Sequence, residues 1–157
     1  MEISKTEIVI MNRYELENWK PYENKTYLVI SISENDKVHF PINQACRGIL
    51  SLQFEDIDCR PENKEQTENY KKQYKIFTKK QAKQILKFIN EITNIDTIIC
   101  QCSAGISRSA GVAAALGVIL NGSDKEIFND PRYCPNRFVY RTILNEYENQ
   151  LDNWSKE

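Results

Sequence analysis

Residues 97–111, TIICQCSAGISRSAG, pass from a short β-branched apolar run into a string of small residues interrupted by one arginine. Residues 97–100 have the composition of a buried strand. The small residues that follow suit a tight loop, and residues 109–120 are expected as a helix that Gly122 stops. Strand, short loop and helix in direct succession form the unit from which parallel sheets are wound.

The flanking sequence extends this pattern. Glu7–Met11 (EIVIM) and Tyr27–Ser33 (YLVISIS) are short, apolar and β-branched, and residues 14–20 between them are expected as a brief helix closed by Pro21. Residues 48–54 (GILSLQF) read as a third strand with Leu50, Leu52 and Phe54 on one face, running into an acidic polar loop, EDIDCRPENKEQTEN. From Thr78 the period becomes helical: Ala82, Ile85, Leu86, Ile89 and Ile92 share one face, with lysines on the other and capping-box spacing between Thr78 and Gln81. Ser123 and Glu126 repeat that spacing before a short turn ended by Pro131. Asn136 is expected to cap a final helix with Tyr140, Ile143, Leu144, Tyr147 and Leu151 on its apolar face.

This succession predicts one α/β domain over residues 1–157, with a mainly parallel sheet of four to five strands flanked by helices. No internal repeat or linker divides the chain. Loops that bind ligands in such sheets follow the carboxyl ends of strands. The acidic loop and the cysteine loop both do, so Asp56 and Cys102 are expected at one edge.

The loop has a definite chemistry. Cys102, Ser103, Ala104, Gly105, Ile106, Ser107 and Arg108 lead into a helix whose first amides lack internal partners. Small residues let the backbone curl around a tetrahedral oxyanion, the helix dipole adds positive potential, and Arg108 supplies a two-pronged fork for two of the oxygens. The phosphate-binding set is therefore residues 103–108. The same field favours ionised sulfur at Cys102, a nucleophile placed to attack bound phosphorus. A leaving oxygen needs a proton, and Asp56, just past a strand end, is the chosen donor; Asp58 is its close rival and Glu55 a weaker one. Ser109, next to the arginine, can hydrogen-bond the sulfur. Such a reaction needs neither metal nor cofactor.

Cys-x5-Arg spacing alone is weak, but here strand, cysteine, glycine, arginine, serine and small-residue helix coincide. With its context, CSAGISRSAG resembles the signature loop of the cysteine-based protein tyrosine phosphatases, and most closely their compact dual-specificity branch. FEDID resembles the segment bearing that branch's general-acid aspartate, FTKKQAKQILKFI the helix before the signature strand, and PNRFVYRTIL a closing helix. The resemblance implies Cys102 as nucleophile, Arg108 as phosphate clamp, Asp56 as acid and Ser109 as partner of the sulfur. It implies a phosphatase-like loop at the carboxyl edge and a phosphoprotein substrate, phosphotyrosine with or without phosphoserine and phosphothreonine. Gln101 stands where the family usually has histidine, and it is expected to hold the loop through its amide. Asn12-Arg13-Tyr14 resembles a ring-binding segment of the larger tyrosine-specific enzymes, although so short a chain predicts a shallower cleft. Two alternatives stand beside this reading: a phosphate-recognising module without turnover, and a phosphatase of RNA 5′ ends or small metabolites.

Composition narrows the classes. A net charge of -1 among 157 residues gives no reason to expect nucleic acid or an acidic membrane as partner. The N-terminus is no secretory peptide and the longest apolar run, 110–120, is too short for a bilayer, so a cytoplasmic location is expected. There the five cysteines should be reduced. Cys46, Cys100 and Cys134 are expected to be buried structural residues and Cys59 an inert exposed thiol. With His39 as the one histidine, no zinc-ligand spacing arises.

Overall fold

Residues 97–101 form one of the two inner strands of the sheet. The computed structural model describes residues 5–60 and 62–155, and residues 1–4 of the N-terminal segment and Pro61 of the acidic loop lie outside them. Four parallel strands, β1 (Glu7–Met11), β2 (Tyr27–Ser33), β3 (Cys46–Gln53) and β4 (Thr97–Gln101), lie in the order β1-β4-β2-β3. The sheet is thus wholly parallel, at the lower of the two expected strand counts. Every residue of β2 and β4 is buried, which explains their unbroken apolar character: both faces of a parallel sheet are covered. β3 lies at an edge, where Arg47, Ile49 and Ser51 face solvent and Leu52 faces the core.

One face of the sheet packs against three helices, α3 (Lys79–Glu91), α4 (Arg108–Leu116) and α6 (Arg137–Ser155). Thr78 and Gln81 cap α3 reciprocally, as their spacing predicts, and Ala82, Ile85 and Leu86 are buried. Asn136 caps α6 by accepting from the Val139 amide at 3.0 Å. Ile143 and Leu144 on the following turns are buried, whereas Leu151 lies beyond the core and is exposed. The opposite face is covered by α1 (Arg13–Glu17) and by an edge-to-face cluster of Trp19, Tyr22 and Tyr27.

Several boundaries differ from the sequence reading for identifiable reasons. α1 starts at Arg13 because Asn12 and Glu15 form a capping box. α4 ends at Leu116 and passes into a π-helical turn, Gly117–Asn121, before Gly122 closes it at φ 79°. Ser123 does not cap α5 (Lys125–Phe128) in a box; Asp124 is the residue before it, and the Ser123 hydroxyl accepts from the Lys125 amide at 3.2 Å. The acidic loop contains an unexpected helix, α2 (Lys64–Gln73), which buries no residue and so shows no apolar stripe; Asn63, accepting from the Gln66 amide, starts it. No helix among the described residues is long and apolar enough to cross a membrane.

α4 and α6 touch closely at Gly111, where a Cβ would stand 2.6 Å from the carbonyl oxygen of Asn136. Alanine in a helix ordinarily gains about 0.5–1 kcal/mol over glycine. A backbone oxygen cannot swing aside, so overpacking wins here. Gly111→Ala is expected to lower stability by about 1–3 kcal/mol, measured by urea denaturation.

Candidate active site

The carboxyl edge of the sheet gathers three segments: the loop after β4, the segment after β3 and the start of α1. Peptide groups are planar and trans, so each carbonyl points opposite to the amide that follows it. The carbonyl of Ser103 accepts from the Arg13 amide at 3.2 Å, that of Ile106 from Cys134 at 3.0 Å, and that of Ser107 from Asn136 at 2.9 Å. These bonds turn the carbonyls into the surrounding protein. The amides of Ala104, Ser107 and Arg108 consequently face the other way, into the loop, as in an anion-binding nest.

Gly105 permits this curl. Its φ of 65° is left-handed, and a Cβ there would lie 2.7 Å from the Asn12 nitrogen. Only a glycine lets the start of α1 press against the loop so closely. Ser107 occupies the N-cap position of α4 without capping it, which leaves the first-turn amides free of a side-chain cap.

Cys102 is buried (2% exposed) at the base of this loop, with its Sγ 3.0 Å from the Ser109 hydroxyl. Arg108 is buried as well, at 5% exposure. Its guanidinium donates to the Phe54 carbonyl at 2.8 Å and stands 4.0 Å from the carboxylate of Glu34, a residue the sequence reading did not single out.

Of the three acidic candidates, one joins the loop. Asp56 Oδ1 accepts from the Ser107 hydroxyl and from Asn136 Nδ2, both at 2.8 Å. Asp58 instead accepts from the Phe138 amide in the first turn of α6, where a carboxylate complements the helix dipole. Glu55 is held by the Lys75 amide at 2.6 Å. Asp56 and Cys102 thus share the sheet edge as expected, even though β2 separates their two strands.

Gln101 departs from expectation. It is fully buried, but its Oε1 accepts from Ser31 on the neighbouring strand at 2.6 Å and not from the loop, and its Nε2 has no partner. Register explains this, since residues 31 and 101 are opposed in the β2–β4 ladder. Inverting the amide only exchanges which of its atoms is left over.

Of the remaining cysteines, Cys100 is buried as expected, and Cys46, Cys59 and Cys134 differ from expectation. Loss of hydration together with the neighbouring Cys102 sulfur pushes the Cys100 thiol far up. Cys59 is buried beside Thr67 of α2 rather than exposed, and burial raises its thiol too. Cys134 is exposed and Cys46 half-buried. Among the described residues no group of three or more His, Cys, Asp and Glu side chains could hold a metal ion. His39 is exposed.

No protein-family model matches the chain, and no curated protein sequence matches it.

The Ser31–Gln101 pair permits a clean stability test. Ser31→Ala leaves a whole buried amide unpaired and is expected to cost about 1–3 kcal/mol. Ser31→Ala with Gln101→Leu removes every polar atom of the pair and should return stability to within about 1 kcal/mol of the parent in urea melts.

Proposed function

We propose that the protein hydrolyses phosphate monoesters on proteins through a cysteinyl-phosphate intermediate, as the resemblance to compact dual-specificity phosphatases implies. The observation that carries this reading is the buried Cys102 sulfur, 3.0 Å from the Ser109 hydroxyl, at the base of a loop whose amides turn inward. A structural cysteine needs no such surroundings. A buried arginine beginning the next helix and a carboxylate tied to the loop complete the set.

The Cys102 thiolate attacks phosphorus, the bond from phosphorus to the leaving oxygen breaks, and Asp56 gives that oxygen its proton. Inward amides and the Arg108 guanidinium hold the three non-bridging oxygens as their charge redistributes. Water then attacks phosphorus, Asp56 takes its proton, the phosphorus–sulfur bond breaks, and phosphate leaves. Ser109, donating to the departing sulfur, stabilises the thiolate as it reforms.

Phosphotyrosine is the favoured ester, with phosphoserine and phosphothreonine as further substrates. Its support is the Asn12-Arg13-Tyr14 segment: Arg13 bonds the loop at Ser103, and the next residue, Tyr14, is 74% exposed. Ile106, within the loop, is also exposed and offers an apolar contact to a substrate chain.

Purified protein should hydrolyse 4-nitrophenyl phosphate without added metal. Cys102→Ser should abolish turnover and keep phosphopeptide binding, and Asp56→Asn should lower kcat toward phenyl phosphate, a poor leaving group, by about 10²- to 10⁴-fold. Phosphopeptide binding without turnover in the parent protein identifies a recognition module instead. Release of phosphate from triphosphorylated RNA, with none from phosphopeptides, identifies the RNA-directed alternative.

A further inference from the structure

Asn136 is 1% exposed and uses every polar group it has. Its main-chain amide donates to the Ser107 carbonyl of the loop at 2.9 Å, and its side-chain Oδ1 accepts from the Val139 amide at 3.0 Å, capping α6. Its Nδ2 donates to Asp56 Oδ1 at 2.8 Å and to the Ile57 carbonyl at 3.2 Å. Gly111 leaves room for the Asn136 carbonyl against α4. One residue therefore joins the segment after β3, the loop after β4 and the start of α6.

We infer that Asn136 is a positioning residue that fixes the acid loop over the phosphate loop and selects Oδ2 of Asp56 as the oxygen that carries the catalytic proton. A carboxyl oxygen has two lone pairs. On Oδ1 of Asp56 both are engaged, one by the Ser107 hydroxyl and one by Asn136 Nδ2. Protonation is left to Oδ2. A carboxyl held by one oxygen presents the other in a fixed direction, so the acid is aimed before substrate arrives and need not be carried in by a closing loop. The inference rests on the reading of Asp56 as proton donor.

Serine at position 136 caps a helix about as well as asparagine and retains the main-chain bond to Ser107, but it cannot reach Asp56 as a donor. Asn136→Ser therefore separates the cap from the aiming contact. Its kcat toward phenyl phosphate, a poor leaving group, should fall about 10- to 100-fold, part of what a general acid contributes. Toward 4-nitrophenyl phosphate, which departs with less help, the fall should be under about 5-fold, and KM and inhibition by inorganic phosphate should stay within about 2-fold. Combined with Asp56→Asn, it should lower kcat no further than Asp56→Asn does alone.

Asn136→Asp keeps shape and cap and opposes two carboxylates, so it should lose at least as much on phenyl phosphate; it decides the matter if the serine variant folds poorly. Equal losses on both esters, or a phenyl phosphate kcat within about 2-fold of the parent, overturn the positioning role. Such a result, in a parent enzyme whose turnover still depends on Cys102 and Asp56, leaves the proposed reaction standing. A parent without turnover overturns both.

Discussion

The orientation of the peptide groups between Cys102 and Arg108 is the constraint on which the carboxyl edge of this protein depends. Three carbonyls of that loop are drawn outward by amides of Arg13, Cys134 and Asn136. Planarity of the peptide does the rest, turning the following amides inward. The outward bonds come from two distant parts of the chain, the start of α1 and the segment before α6, so the loop is held by its surroundings and not by its own sequence alone. Gly105 makes the arrangement possible by accepting a left-handed φ where the start of α1 presses in.

The buried polar groups at this edge are nearly all paired, and the pairing links chemistry to architecture. Phe54 ends the β3 segment, packs its ring on Phe77 and lends its carbonyl to Arg108. Two residues later Asp56 is tied to the loop, and two further on Asp58 caps the start of α6. Alternate residues of one short segment thus divide the work: one orients the arginine, one faces the loop and one anchors a helix. Gln101 is the exception, with an amide nitrogen left unpaired in the sheet. A donor stranded there lowers stability, and nothing in the loop recovers it.

Elements with a strong burial pattern were legible before any coordinates. β2 and β4 are apolar throughout because both faces are covered, and α3 shows its stripe because one face is. α2 was missed because it buries none of its residues fully and only Tyr70 leans on the core, and hydrophobic periodicity can report a helix only through what the helix buries. Its available signals were Asn63-x-x-Gln66, an acid in the first turn and lysines in the last. The exposures of Cys59 and Cys134 were misjudged for a related reason. Whether a thiol meets water depends on what lies over it, and α2 covers the first while nothing comparable covers the second.

The order of residues around Cys102 determined, without further information, a strand, a loop able to curl and a helix to follow, because those preferences act over a few neighbouring residues. It also determined which chemical groups that stretch carries: the Cys102 thiol, a guanidinium and three hydroxyls, with three acids in the loop after β3. Only the tertiary structure decided which acid meets the loop, through which oxygen, and that Asn136 holds it from 80 positions away. Periodicity assigns a face to each element but says nothing of the order in which strands lie side by side, and partners of a hydrogen bond so distant in sequence are set by that order.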